Sequence, residues 1–418
     1  MEKVAIVTSG TFPVPPTKGG AVENLIQMIV NQNQISKKLD LTIFSIDDLE
    51  ARNQSKNIED KYTQYRFIRI PCLVKFLNLL IYFFFCKIMR KKKVMSYRFI
   101  GQRIFYIVSV ARILHKQDFD RVVLENHPTL FLCIKLFKNY DKYKNKYVYH
   151  MHNKLNGFYG CIKIIENTPM VVGVSEYILN VFRKQVPNYS SKTKFRVLRN
   201  RVDSSRFVEN LSDKDKILLK KKLNLPLDKK IVLFSGRMNK EKGIDKLLLA
   251  WQKVDKKEAA LLIVGSYYYK SGITNTSFAN RINILIEGQK NIFFTGYINY
   301  NDMPKIYAIA DLVVLPSMWE DPAPLTVIEA LTSGKPLITT NSGGIPEYVI
   351  NTGTIILAKE EPNFVSNLAV SIKKTISSPE TLKEMSNKSK IVTKNWNSKK
   401  YYLDFCRVIN DFGATSGK

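Results

Sequence analysis

Residues 311–347 read DLVVLPSMWEDPAPLTVIEALTSGKPLITTNSGGIPE. The apolar run Leu312–Leu315 predicts a buried strand, followed by a Pro-rich turn with two acids and a helix carrying Glu329. A second strand over 336–340 then meets a Gly-Gly turn that opens a further helix. Strand, turn and helix alternating in this way make an α/β fold with a parallel sheet, and two helix N-termini open on one edge of it. Helix starts carry unpaired N–H groups and partial positive charge, so the edge suits a phosphorylated ligand, and carboxylates beside it suit sugar hydroxyls.

Upstream of this stretch the same rhythm recurs. IVLFSG (231–236), a helix from Ile244, ALLIVGS, NIFFTGYI, a helix from Asn301 and LVVLPS predict a doubly wound sheet that begins after LNLPLDKK. Its first turn is GRMNKEKG (236–243), in which Arg237 can meet a phosphate in bidentate fashion and Lys242 as a point charge. A basic turn alone is more often simply solvated. With two helix starts on the same edge, this one reads as a diphosphate clamp.

The N-terminal part holds a sheet of its own. VAIVTS (4–9) leads through GTFPVPPTKGG into a helix over 21–34, with Gly19 and Gly20 at the helix start, where a bare backbone lets phosphate or sugar approach. An ordinary turn is the competing reading, and the nicotinamide fingerprint Gly-x-Gly-x-x-Gly is absent. RVVLEN (121–126), KYVYHMHN (146–153) and MVVGVSE (170–176) are strands ending in polar residues, which the topology brings to the ligand-binding edge. His127, His150 and His152 lie at such ends, and strand alternation puts His150 and His152 on one face.

With 418 residues, 45% hydrophobic and 11% aromatic, the chain can bury ample core and divides into two domains. The expected boundaries are 1–200, 201–395 and a final helical segment, 396–418, crossing back over the first domain. Lys and Arg exceed acids by 65 − 36 = 29, which favours anionic ligands or surfaces. The five cysteines form no Cys-x-x-Cys pair, and MEKVAIVTSG starts as a strand without a signal pattern, so a cytosolic protein with reduced thiols is expected. The apolar run 79–86 falls well short of the roughly 20 residues of a spanning helix.

Residues 61–117 hold 13 Lys or Arg and no acid, interleaved with aromatic and aliphatic residues. This composition suits helices lying in a membrane interface, with Arg90, Lys91, Lys92 and Lys93 on the anionic lipid of an inner leaflet. Two amphipathic helices covering the sheet are the plainer alternative, and the absence of any nucleic-acid motif places nucleic acid last. No His-x-x-x-His or paired cysteines offer metal-ligand spacing, and Asp118-Phe119-Asp120 precedes its strand, so no essential metal is expected.

TKGGAVENLI, the strand-end HP and HN dipeptides, VGVSE, GRMNKEKG, LLIVGS, FFTGYI through DLVVLPS, the acidic pair and GGIPE together resemble the family 4 retaining glycosyltransferases across nearly the whole chain. The resemblance implies the GT-B architecture of two facing Rossmann-like domains and a nucleotide-sugar donor, UDP-linked, with no other cofactor and no metal. It implies a donor site on the C-terminal side: Gly236, Arg237 and Lys242 at the diphosphate, Gly265 and Tyr297 lining it, and Glu329 at the ribose. On the N-terminal side it implies Gly19 and Gly20 near the phosphates, His152 at the transferred sugar, and His127, His150 and Asn153 toward the acceptor.

Three departures bear on the donor. The family's Glu-x7-Glu spacing selects Asp321 rather than Glu320 as the acid at the donor sugar, one methylene shorter. Pro322 and Pro324 remove two backbone donors and leave the N–H groups of Ala323, Leu325 and Thr326 for phosphate or sugar. Asn200-Arg201-Val202-Asp203 stands where the family has Asn-Gly-Val-Asp. The function expected is transfer to a membrane-borne acceptor, such as a lipid-linked glycan precursor of a bacterial surface polysaccharide or capsule, by a protein peripheral to the cytoplasmic face. A soluble or protein acceptor, or an inactive GT-B-fold binder of membranes or polyanions, are the alternatives.

Overall fold

A computed structural model describes residues 1–84, 99–207, 211–255, 257–266 and 277–412. The chain forms two compact units: Met1–Arg199 together with the chain from Tyr401 onward, and Asn200–Lys400.

The first unit is built on seven strands, β1 (Glu2–Val7), β2 (Leu39–Ile46), β3 (Thr63–Ile68), β4 (Arg121–Glu125), β5 (Tyr147–Met151), β6 (Met170–Gly173) and β7 (Lys194–Val197). They are all parallel in the order β3-β2-β1-β4-β5-β6-β7. Continuous apolar runs such as Val4–Val7 are buried on both faces because helices cover both sides of a parallel sheet. The helix Ala21–Ser36 buries Leu25, Ile26, Ile29 and Val30, a stripe at helical spacing, against that sheet. The helix Ser398–Asn410 adds Tyr401, Tyr402, Phe405 and Ile409 to the same core, and Tyr402 Oη donates to Asn33 Oδ1 at 2.6 Å.

Within the basic window, β3 shows the period-two burial of a strand with one solvated face: Thr63 and Tyr65 point in, Gln64 and Arg66 out. Two helices follow, Cys72–Phe83 and Ile100–Lys116. The first is inverted. Asn78, 6% exposed, faces inward and accepts the Gly101 N–H at 2.8 Å, while Leu73, Phe76, Leu79 and Phe83 are 69%, 59%, 69% and 56% exposed. No helix among the described residues is long and apolar enough to cross a membrane. Arg90, Lys91, Lys92 and Lys93 lie outside the described residues.

The second unit holds β8 (Lys230–Ser235), β9 (Ala259–Val264), β10 (Ile292–Gly296), β11 (Leu312–Leu315), β12 (Leu337–Thr340) and β13 (Ile355–Leu357), parallel in the order β10-β9-β8-β11-β12-β13. Both sheets start in the middle, run to one edge and restart on the other side of the first strand. The chain therefore diverges at the carboxyl ends of β1 and β4 in one unit and of β8 and β11 in the other, the crevice where doubly wound sheets take ligands.

Candidate active site

In the second unit, the β8 turn and the β11 turn meet at that switch point. Asn239 caps the short helical turn Lys240–Lys242, its Oδ1 accepting from Lys242 N at 3.0 Å, and this aims Lys242 across the edge. Lys242 Nζ lies 2.8 Å from Asp321 Oδ2, with both side chains largely buried. The other carboxylate oxygen, Oδ1, accepts from Ala323 N at 3.3 Å, so the turn's Ala323 N–H serves Asp321 rather than standing open to a ligand. Glu320 points elsewhere, to Lys359 Nζ and to the Gly343 N–H at 2.6 Å. Neighbouring acids thus hold separate cations.

The helix Leu325–Thr332 starts after Pro324 without a side-chain cap. Thr326, in its first turn, lines a small open pocket with Lys242, Ser235, Ser317, Pro324 and Ile345. A cation and a helix start share this pocket, the combination that holds phosphate. Glu329, one turn further on, is buried and accepts from Tyr307 Oη at 2.9 Å. Burial pushes its carboxyl up to about 7, only partly offset by the tyrosine's hydrogen bond. Asn200 braces the acidic turn, its Nδ2 donating to Ala323 O at 3.3 Å and its N–H to Tyr348 Oη at 3.0 Å. Arg201 stacks on Trp396, 5.0 Å from guanidinium carbon to ring centroid.

Arg237 is half exposed and faces Glu241 at 3.4 Å. Gly236 donates to Val264 O at 3.0 Å and Gly265 to Gly296 O at 2.9 Å, which knits the ends of β8, β9 and β10 together; Tyr297 follows, exposed. A Cβ at Gly265 would sit 1.9 Å from Gly236 O, so the close approach of these two turns requires glycine there.

In the first unit, Gly19 and Gly20 have φ of 75° and 119° at the start of the helix Ala21–Ser36. A Cβ on Gly20 would fall 2.1 Å from Glu23 Oε2. Glu23 is itself buried, and burial pushes its carboxyl up to about 7, with repulsion from Glu125 adding to the shift. His127 caps the turn Pro128–Leu130, Thr129 N donating to its Nδ1 at 3.3 Å; burial and then the Arg103 charge press its imidazole down to about 4. Asn153 Nδ2 lies 3.4 Å from Asn126 Oδ1.

His150 and His152 do share a face, and they converge on Glu125, which stands beside His150 in the β4–β5 register. His150 Nδ1 is 3.1 Å and His152 Nε2 is 3.1 Å from Glu125 Oε2. Burial raises the Glu125 carboxyl, but the two imidazoles outweigh it and hold the group down at about 2. Burial likewise presses His152 down to about 4. His150, expected toward the acceptor, is buried at 2% exposure.

These three side chains bring ligand-capable atoms within 4.8 Å of one another, a donor set that divalent ions take. A ligating imidazole ordinarily donates its other N–H outward. His150 Nε2 is buried without a hydrogen-bond partner, so that feature is lacking, and hydrogen bonds to Glu125 account for the cluster. Sequence reading passed over Glu125, Glu23, Glu241 and Tyr307. For Glu125 a signal existed: it is the acid that closes RVVLE directly after three apolar residues.

Two parallel Rossmann-like sheets, with a phosphate-suited edge flanked by carboxylates, define a nucleotide-sugar-dependent glycosyltransferase of the GT-B fold. The family model described as Glycosyl transferases group 1 matches residues 215–392. Residues 215–392 are thus similar to this group of glycosyltransferases, and the likeness to relatives extends along most of the chain. It is 25% identical over 402 residues to the putative glycosyltransferase YtcC of Bacillus subtilis, covering 93% of this chain and 86% of that protein. To the lipopolysaccharide 1,2-N-acetylglucosaminetransferase of Salmonella typhimurium it is 22% identical over 362 residues, 84% of this chain and 83% of that one. HepE of Anabaena, solved in complex with UDP-glucose, has a similar fold, with a TM-score of 0.69 at 16% identity over 98% of this chain and 100% of that one.

Proposed function

We propose that the enzyme moves a sugar, with retention of configuration and without a metal, from a UDP-linked donor to a lipid-linked glycan acceptor at the cytoplasmic face of a membrane, in surface polysaccharide synthesis. The observation that carries the donor half is Lys242 sharing one pocket with the first turn of the helix Leu325–Thr332. As the bond from the anomeric carbon to the diphosphate oxygen breaks, its electron pair and charge pass to the phosphate, where Lys242 and Arg237 stabilise them. The acceptor oxygen bonds to the same face of the sugar, and its proton goes to the departing phosphate. Glu329 accepts the ribose hydroxyls, Asp321 orients Lys242 and meets the donor sugar, Leu325 and Thr326 offer N–H groups, and His152 meets the transferred sugar. Gly19 and Gly20 let the backbone approach it. The UDP-glucose held by HepE supports the choice of nucleotide.

The acceptor half rests on the inverted helix Cys72–Phe83, whose leucines and phenylalanines face outward in a window without acids. An apolar helix face amid cations suits the headgroup boundary of anionic lipid. The lipopolysaccharide transferase of Salmonella supports a glycan product. A panel of labelled nucleotide sugars, incubated with the enzyme and a bacterial membrane extract in excess chelator, tests the whole reading. Label entering the lipid phase is expected. Label confined to soluble product replaces the acceptor, loss of turnover on chelation overturns the metal-free chemistry, and no turnover with any donor favours an inactive binder.

A further inference from the structure

Glu125 is sealed at the end of β4, and no Lys or Arg side chain hydrogen-bonds its carboxylate among the described residues. Its two partners are imidazoles, His150 through Nδ1 and His152 through Nε2. An ionised carboxylate only accepts hydrogen bonds, so each of those ring nitrogens carries its proton. For His152, which burial keeps neutral, a proton on Nε2 leaves Nδ1 as a bare lone pair. No protein hydrogen bond to that Nδ1 is present among the described residues, and His152 retains 6% of its side-chain surface, whereas His150 Nε2 is closed off.

We infer that Glu125 is a positioning residue that locks His152 in the Nε2–H form, so that Nδ1 meets the transferred sugar as a hydrogen-bond acceptor only. This rests on the reading that His152 contacts that sugar. A sugar presenting a hydroxyl there donates to Nδ1. A uronic acid presenting a carboxylate places two acceptors face to face and is rejected, since neither can supply the proton the contact needs. His150 donates to the same carboxylate through Nδ1 and so helps to fix its orientation. Glu125 acts through His152 and does not touch the substrate.

The chain has four histidines, so the full-length enzyme labelled with 15N-histidine gives an imidazole spectrum simple enough to assign with His152→Gln. The wild type is expected to show His152 protonated at Nε2 and bare at Nδ1. Glu125→Gln keeps the shape but presents an NH2 donor, and should move the His152 proton toward Nδ1 while lowering kcat at least about tenfold and leaving KM for the donor within about twofold. It should also narrow the preference for hydroxyl-bearing over uronate donors. Glu125→Asp, less similar in size but still an acceptor, should restore the Nε2–H signature and part of kcat. A wild-type His152 protonated at Nδ1, or a tautomer unmoved in Glu125→Gln, overturns the inference. If the lock is observed but His152→Gln turns over normally, the sugar contact fails and the specificity falls with it.

Discussion

Lys242 Nζ stands 2.8 Å from Asp321 Oδ2, so the cation proposed for the diphosphate and the acid proposed for the donor sugar are members of one ion pair. The two come from different strand turns, after β8 and β11, and the largely buried pair fixes where the ammonium sits. Truncating Lys242 to Ala should lower kcat/KM about 100-fold or more, the scale of a lost oxyanion donor. Asp321→Asn keeps the shape but frees the ammonium. If the pair acts as a unit, the double variant will lose less than the sum of the singles, with a coupling of about 1–3 kcal/mol. Steady-state kinetics of the three variants give that number, and additive losses would show two independent contacts.

Glu329, proposed at the ribose, should make donor binding depend on pH. Burial raises its carboxyl from the ordinary 4.5 to about 7 in the folded protein, so the fold holds a proton that the unfolded chain has released. Its contribution to stability is therefore full below 4.5 and is lost as pH rises toward about 7. Ribose hydroxyls need the ionised form, so UDP-sugar affinity should strengthen as pH rises through that range, and binding below it should expel a proton. Tyr307→Phe removes the O–H that favours the carboxylate and should move the midpoint upward. Calorimetry in buffers of different ionisation enthalpy reads the released proton, and an affinity flat with pH would refute the assignment.

The order of strands and helices in residues 311–347 was readable because each signal there is local. The expected strand Leu312–Leu315 and the helix around Glu329 are where apolar spacing puts them. The edge strand β3 was not, because Arg66 on its solvated face blends into the basic window around it. Nor was the Glu125 cluster, whose members stand 25 and 27 residues apart and meet only through the β4–β5 register. The same holds for Glu320, whose partner Lys359 lies 39 residues away. Spacing alone separated Asp321 from Glu320; what each acid binds depends on which cation the fold delivers.

Gly265 tests the backbone under the clamp. With φ at 141° and a prospective Cβ 1.9 Å from Gly236 O, Gly265→Ala must separate the β8 and β9 turns or strain both. The expected cost is at least about 1–3 kcal/mol of stability. Activity should fall further than stability, because Gly236 leads directly into Arg237. Gly288→Ala, at φ 71° with open space around it, controls for strain alone. Chemical denaturation and kinetics on both variants separate the effects, and equal activity losses would mean the Gly236–Gly265 contact has no bearing on the site.

The helix Cys72–Phe83 supplies the last test, because its inversion is costly in water. Leu73, Phe76 and Leu80 are all more than half exposed, while the helix turns its asparagine inward. Sinking three such side chains into a lipid interface should contribute on the order of 3 kcal/mol, about a hundredfold in partitioning. Cations in the same window add an electrostatic part that salt removes, whereas the apolar part persists in salt. The triple change Leu73→Ser, Phe76→Ser, Leu80→Ser should therefore abolish the salt-resistant fraction of binding to vesicles containing anionic lipid. Turnover of the donor with a soluble acceptor analogue should be untouched, since none of these residues lines the pocket around Lys242. Sedimentation of the enzyme with vesicles at low and high salt measures both parts. Wild-type binding by the triple variant would mean that the helix covers something other than lipid.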